Sequence, residues 1–591
     1  MLDFNFFNLF SNGLNIEGSD NSDLIIGSLG DDVIAGKGGD DLIFGLFGDD
    51  NITGGWGNDF VFGGYGHDKL SGGDGEDFLS GGFGNDWIVG NKGNDQMYGG
   101  YGNDMLVWNN GDGSDLMNGG SGYDQVQVNF NTDLVNADLQ NKDVAEFSTT
   151  EEGVQFARTE VNDQSVAGLF QLDIRETEAL ETNFGGGDDT AVIKGDVLDN
   201  IKLYLDGGDG VDTLDLSQID AAMKVFLTVG KLGSSTAVNF ENVIGTEFND
   251  GITGDAEDNV ISGLGGEDVI RGRAGDDTLV GGKGNDKVFG GNGNDKLVWN
   301  NGDGSDLLSG EKGDDLVQVN FDTDLVNDDL QNKDVAEFSV TYDGVQFART
   351  ELNDQSEAGL FQLDIRKTET LETNFGGGDD TAVFKDDVLN KITLDLDGGD
   401  GVDLLDFSQA ASAVMVDLGA GTIGAAADLA TGQAPQDGVI SSSGEGVIDT
   451  SGAAGVPVGS GDLGGLVPII EPSSATNFEN VTGTAFDDRI TGNDQDNIIR
   501  GGAGNDILAG GEGADTFLFF EADTGVDIIT DFEFGVDTLA FFTTDPDVTP
   551  GNLLGNLTQV GADVELSLNN KVITFEDALA TDFTTDDFMI A

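Results

Sequence analysis

A nine-residue period governs this chain. From Gly27 to Val107 it reads as nine consecutive nonapeptides, beginning at Gly27, Gly36, Gly45, Gly54, Gly63, Gly72, Gly81, Gly90 and Gly99. Position four is always Gly: Gly30, Gly39, Gly48, Gly57, Gly66, Gly75, Gly84, Gly93 and Gly102. Position six is always Asp: Asp32, Asp41, Asp50, Asp59, Asp68, Asp77, Asp86, Asp95 and Asp104. Position eight is aliphatic or Met, from Ile34 and Ile43 through Met97 and Leu106. A weaker unit, Gly18 to Ile26, precedes them with Asp23 in the acidic place. Units this short bury a core only by stacking on their neighbours, so the period predicts a solenoid.

The period returns twice. A second array, Gly245 to Val298, has Asp250, Asn259, Asp268, Asp277, Asp286 and Asp295 at position six, with Gly275, Gly284 and Gly293 at position four. A third, Gly483 to Leu518, has Asp488, Asn497, Asp506 and Asp515, with Gly504 and Gly513. Both open with near-identical text, Asn239-Phe-Glu-Asn-Val and Asn477-Phe-Glu-Asn-Val. In each, the second unit carries Asn for Asp, which predicts a weaker site there.

Glycines at fixed places permit left-handed turns and close backbone approach. Such loops present carbonyl oxygens and one carboxylate inward. These are hard ligands of the kind Ca²⁺ takes six to eight at a time. The rest of each unit predicts a short strand with one inward aliphatic. Two units then complete one turn, and loops n and n+2 stack on one edge. Stacked carboxylates repel without a cation, so the coil is expected to order with its ions and loosen without them. Same-edge pairs allow up to about a dozen ions.

Composition narrows the function. There are 111 acidic against 25 basic side chains, a net charge of −86, one His and no Cys. That charge repels nucleic acid. Disulfides and Cys-based zinc sites are excluded, and one His cannot supply a catalytic zinc pair. No apolar run reaches the length of a transmembrane segment. The Phe-rich start, Met1 to Leu14, has no basic region and does not read as a cleavable signal peptide.

Units such as Gly54-Gly-Trp-Gly-Asn-Asp-Phe-Val-Phe and Gly81-Gly-Phe-Gly-Asn-Asp-Trp-Ile-Val resemble the RTX (repeats-in-toxin, haemolysin-type) calcium-binding family. The resemblance implies a parallel β-roll, export by type I secretion machinery, and folding on meeting extracellular calcium.

Between the arrays lies a duplication. Residues 103–218 recur at 294–409 with 92 of 116 positions identical. Alternating apolar residues (Val154, Phe156; Phe170, Leu172, Ile174) predict half-buried strands. Isolated repeat-like loops carry Asp124, Asp212 and, in the second copy, Asp403 as further candidate metal ligands. Arg158 with Glu160, and Arg175 with Glu178, read as surface ion pairs. The tail looks like the C-terminal flank of RTX secretion substrates.

The expected fold is all-β, with parallel β-roll (β-solenoid) arrays interleaved with β-rich connecting modules. The boundaries are an N-terminal cap, 1–17; array 1, 18–110; module copy 1, 111–244; array 2, 245–301; module copy 2, 302–482, with a low-complexity insertion at 410–476; array 3, 483–518; and a C-terminal cap with secretion signal, 519–591.

Enzyme motifs are missing: no His-Glu-x-x-His, no Gly-x-Ser-x-Gly elbow with a His partner, no phosphate loop. His67 occupies the variable fifth position of a repeat loop. The expectation is a non-enzymatic, extracellular, calcium-loaded surface, matrix or adhesive component, with a cell-surface glycan or self-assembly as partner. A surface-layer or motility-associated glycoprotein and a carboxylate-based polysaccharide enzyme are the alternatives.

Overall fold

The computed structural model describes residues 3–6, 13–129, 143–161, 170–320, 334–342, 344–352, 361–376, 378–425, 473–568 and 571–591. Most of the 410–476 insertion and most of the Phe-rich start lie outside them. The chain forms two compact units, Met1–Gln318 with Leu363–Thr368, and Val319–Gln362 with Glu369–Ala591.

In the first array, from Val33–Gly38 to Gln96–Tyr101, each strand runs from position seven of one nonapeptide to position three of the next. Glycine at position four then turns the chain. Asn51–Trp56, Lys69–Asp74 and Trp87–Lys92 pair in parallel in one sheet. Leu42–Phe47, Phe60–Tyr65 and Phe78–Phe83 do so in the other. The register is eighteen residues, as Ile52 against Leu70 and Val61 against Leu79 show. Two units therefore make one turn. The fold is a parallel β-roll.

The core is the single inward residue of each unit. Ile34, Ile43, Ile52, Val61, Leu70, Leu79, Ile88, Met97 and Leu106 are each at most 2% exposed. Thirteen of the fourteen position-four glycines singled out in the sequence have positive φ; Gly30 is the exception. At Gly66 (φ 136°) a Cβ would overlap the carbonyl oxygen of Gly48 one turn earlier, so both the turn and the stacking demand glycine.

The roll continues through the text between the first two arrays. Leu116–Ser121 extends one sheet and Gln125–Asn129 the other. Ala179–Asn183 and Lys202–Asp206 follow in parallel. An antiparallel excursion, Asp143–Thr149, Gly153–Val161 and Phe170–Arg175, leaves and rejoins the roll. Its Phe170 ring stacks on Trp108 with centroids 4.0 Å apart. Asn242–Ile244 and Gly251–Thr253 then lead into the second array.

The second unit repeats the plan. Asn480–Thr482, Ile498–Arg500, Thr516–Phe520 and Thr538–Phe542 form one ladder. Arg489–Thr491, Ile507–Ala509, Gly525–Ile529 and Lys571–Phe575 form the other. A cluster of Phe532, Phe534, Phe575, Phe583 and Phe588 closes its C-terminal end.

Because each turn has so little core, one truncation should be felt. Leu79→Ala is expected to lower the stability of the calcium-saturated protein by about 2–5 kcal/mol. Urea unfolding in excess calcium, followed by circular dichroism, measures it.

Candidate metal ladder

Every position-six carboxylate turns inward. The aspartates singled out in all three arrays, together with Asp124, Asp212 and Asp403, are between 0 and 3% exposed. One oxygen of each has a fixed task. Asp50 Oδ1 accepts the backbone N–H of Asp32 at 2.7 Å, Asp68 that of Asp50 at 2.8 Å, and Asp86 that of Asp68 at 2.8 Å. The other edge has the same ladder: Asp41 to Asp59, Asp59 to Asp77 and Asp77 to Asp95, each at 2.8 Å. In the second array Asp268, Asp286 and Asp295 take the same part. In the third, Asp506 and Asp515 do.

The second oxygen has no hydrogen-bond partner. Oδ2 is buried and unsatisfied in Asp41, Asp50, Asp59, Asp68, Asp77, Asp86, Asp95, Asp104, Asp124, Asp212, Asp268, Asp277, Asp286, Asp295, Asp403, Asp506 and Asp515. Each faces the position-one glycine of its own unit. A Cβ on Gly36 would collide with Asp41 Oδ2 and with the carbonyl oxygen of Gly54. A carboxylate oxygen, a carbonyl oxygen and a space that only glycine leaves open meet in the same way at Gly45, Gly54, Gly63, Gly72, Gly99, Gly263 and Gly272. Buried anionic oxygens are costly unless paired. This donor set is hard, oxygen-only and repeated, and it fits Ca²⁺. Among the described residues no cluster of three or more His, Cys, Asp or Glu side chains forms. Backbone carbonyls would therefore have to supply much of the coordination.

The array ends differ. Asp32 is satisfied by the N–H and hydroxyl of Ser28, Asp250 by Thr246 and Asp488 by Thr484. Asn259 and Asn497 donate their amide nitrogens to the carbonyls of Glu241, at 2.9 Å, and Glu479, at 2.7 Å. These rungs are saturated by the chain itself.

Several rungs escaped the nonapeptide reading because the spacing changes. Asp115 follows Asp95 by twenty residues and accepts its N–H at 2.9 Å. Glu178 accepts from Asp124 at 2.7 Å, Glu241 from Asp212 at 2.7 Å and Glu479 from Asp403 at 2.8 Å. The last two belong to the repeated Asn-Phe-Glu-Asn text, which was the available signal. Glu178 is therefore a rung and not half of a surface pair. Arg175 instead pairs with Asp173 and Glu152. Arg158 is buried, 4% exposed, with Asn110 Oδ1 at 3.4 Å from its guanidinium, so it too departs from the surface reading.

An outer ladder runs alongside. Position-five side chains accept the N–H one turn later, as Asp31 does from Asp49 and Asn85 from Asn103. His67 is one of its rungs: Nδ1 accepts from Asn85 N at 2.7 Å and itself follows Asp49.

Burial raises the inner carboxyls, and neighbouring rungs add repulsion; the backbone hydrogen bond opposes both. Asp50, Asp86, Asp268, Asp277, Asp403 and Asp506 are pushed up to about 7, and Asp95 to about 8. With raised values, the cation-free native chain binds more protons than the unfolded chain above the ordinary carboxyl value of 3.8. Its stability is then greatest at low pH and is lost as pH rises through 6 to 8. In chelator, β-sheet circular dichroism should accordingly be stronger at pH 5.5 than at pH 8. The opposite order would contradict burial of these carboxyls.

A parallel β-roll with a buried acidic ladder along its edges defines a class of nonapeptide-repeat proteins. The family described as RTX calcium-binding nonapeptide repeat (4 copies) matches this chain at residues 17–52, 35–70, 53–88, 80–107, 109–141, 244–279, 262–297, 300–327 and 482–517. The chain carries RTX calcium-binding nonapeptide repeats. No curated protein matches it. Among solved structures, the extracellular lipase LipA from Serratia marcescens aligns at 15% identity, over 65% of this chain and 45% of the lipase, with a TM-score of 0.18. The chain thus spans less than half of the lipase's length.

Proposed function

We propose that this is a secreted calcium-binding protein that folds on meeting extracellular calcium and acts as a cell-surface, matrix or adhesive structural component. The observation that carries the calcium part is the row of buried, unpartnered Oδ2 atoms, which at many rungs lie beside a backbone carbonyl. The ligands are the orphaned aspartates of the inner ladder, from Asp41 to Asp104, Asp268 to Asp295, and Asp506 with Asp515, together with Asp124, Asp212 and Asp403.

Calcium then works as a switch. At low cytosolic concentration the ladder repels itself and the chain stays threadable, which suits export through a type I channel. Outside, millimolar calcium saturates sites with Kd of about 10⁻⁴–10⁻³ M and draws folding forward by mass action.

An exposed aromatic row supports the contact role. Phe47, Tyr65, Phe83 and Tyr101 lie at position three of alternate units, 46 to 60% exposed. They stack with centroids 4.7 to 4.9 Å apart. The outward strand positions beside them, Phe44, Phe60, Phe62, Phe78 and Tyr98, carry no charge. In so acidic a protein a charge-free aromatic surface is suited to contact rather than to solvation. Among the described residues no helix is long and apolar enough to cross a membrane.

Chelation is expected to abolish most of the β-sheet signal at pH 7.5, and calcium to restore it. Asp86→Asn should keep the fold in saturating calcium while binding fewer ions by equilibrium dialysis. Fractionation of producing cells tests the location: the protein should sit at the cell surface and be released by chelator. Retention in the cytosol would contradict it.

A further inference from the structure

The C-terminal end of the acidic ladder holds a cation that belongs to the chain. In the third array one edge runs Asp488, Asp506, Asp527. Asp506 accepts the N–H of Asp488 at 2.9 Å, and Asp527 that of Asp506 at 3.2 Å. Asp527 lies outside the nonapeptides but continues their register, because Gly525–Ile529 pairs in parallel with Ile507–Ala509. Its carboxylate is fully buried. At this rung the facing group is Lys571. The Nζ atom lies 2.7 Å from Asp527 Oδ2 and 3.3 Å from the carbonyl oxygen of Gly502, and its side chain is 7% exposed. The ammonium also sits 5.1 Å from the centre of the Phe519 ring.

A carboxylate oxygen and a backbone carbonyl are the two donor types that meet at orphaned rungs such as Asp41, Asp50, Asp59 and Asp268. Here both face an amine. We propose that Lys571 is a built-in counter-cation that takes the place of a calcium ion at the last rung, so that this end of the roll is ordered without metal. The inference rests on the calcium reading of the ladder.

Sequence and packing agree with this. Lys571 is the one basic residue from Phe519 to Ala591, a segment otherwise strongly acidic. Its strand, Lys571–Phe575, pairs directly with Gly525–Ile529, with Lys571 opposite Gly525. Removing one partner of a buried pair leaves the other charge stranded. The neighbouring rungs need little metal either. Thr484 saturates Asp488, and the Asn497 amide is satisfied by the Glu479 carbonyl. The third array thus begins on self-satisfied rungs and ends on a lysine. Only Asp506 and Asp515 among its four position-six residues keep an orphaned oxygen. The result is a short pre-ordered template from which calcium-dependent turns can extend toward the N-terminus.

The test is amide hydrogen exchange on the full chain in chelator at pH 7.5. In the unmodified protein, amides of Gly525–Ile529 and Lys571–Phe575 should stay protected while those of Asn51–Trp56 and Lys69–Asp74 exchange freely. Lys571→Met should speed exchange in the C-terminal pair at least tenfold, and Lys571→Arg should preserve protection. Adding calcium to Lys571→Met should restore protection, with one more ion bound than in the unmodified chain. The proposal is overturned if Lys571→Met leaves the C-terminal protection unchanged in chelator. It is overturned too if the unmodified chain shows no protection there. Full protection of Asn51–Trp56 in chelator would instead sink the calcium reading itself, so the two failures are distinguishable.

Discussion

At each orphaned rung of the inner ladder, half of the carboxylate is spoken for by the chain and half is not. Oδ1 takes the N–H of the preceding turn and so sets the rise of the roll, while Oδ2 is left buried and anionic beside a carbonyl. The first interaction fixes geometry and the second creates an energetic demand. A neutral side chain removes the demand and changes the contact: Asn259 and Asn497 take an N–H of their own unit on Oδ1 and donate their amide to a carbonyl of the preceding turn. An unbroken series of aspartates leaves a row of negative oxygens that the chain itself does not pair.

That demand explains the glycines better than turn-making alone. Position four needs a left-handed backbone, yet position one does not: Gly36 has no positive φ. It is glycine because a methyl group there would fill the space between Asp41 Oδ2 and the Gly54 carbonyl. The repeat thus conserves an opening as well as a bend. With one aliphatic per unit as core, cohesion along the axis comes from backbone ladders and from whatever fills those openings. On the proposed calcium reading, a protein built this way orders cooperatively with its ligand.

Much of this was legible in the sequence. The period gave the parallel roll, the two-unit turn and the inward column from Ile34 to Leu106. The continuation beyond each array was harder to read. Turns of twenty residues or more put Asp115, Glu178, Glu241 and Asp527 on the ladder at spacings that break the nonapeptide count. A Glu can replace Asp there because its longer side chain still reaches the N–H of the preceding rung. Pairings across such separations depend on how far an excursion such as Asp143–Arg175 travels before rejoining, which local pattern does not encode. Arg158 read as a surface charge because its strand alternates; its burial against the roll near Asn110 depends on the tertiary return of that excursion.

Diffraction from crystals grown in calcium, with anomalous differences recorded where calcium scatters anomalously, tests the account most directly. The account predicts peaks in regular succession along both edges of the first array, each between an aspartate Oδ2 and glycine carbonyls of a neighbouring turn. It predicts none at Asn259 or Asn497. A well-ordered roll with no such peaks, or with those carboxylates turned to solvent, would contradict it.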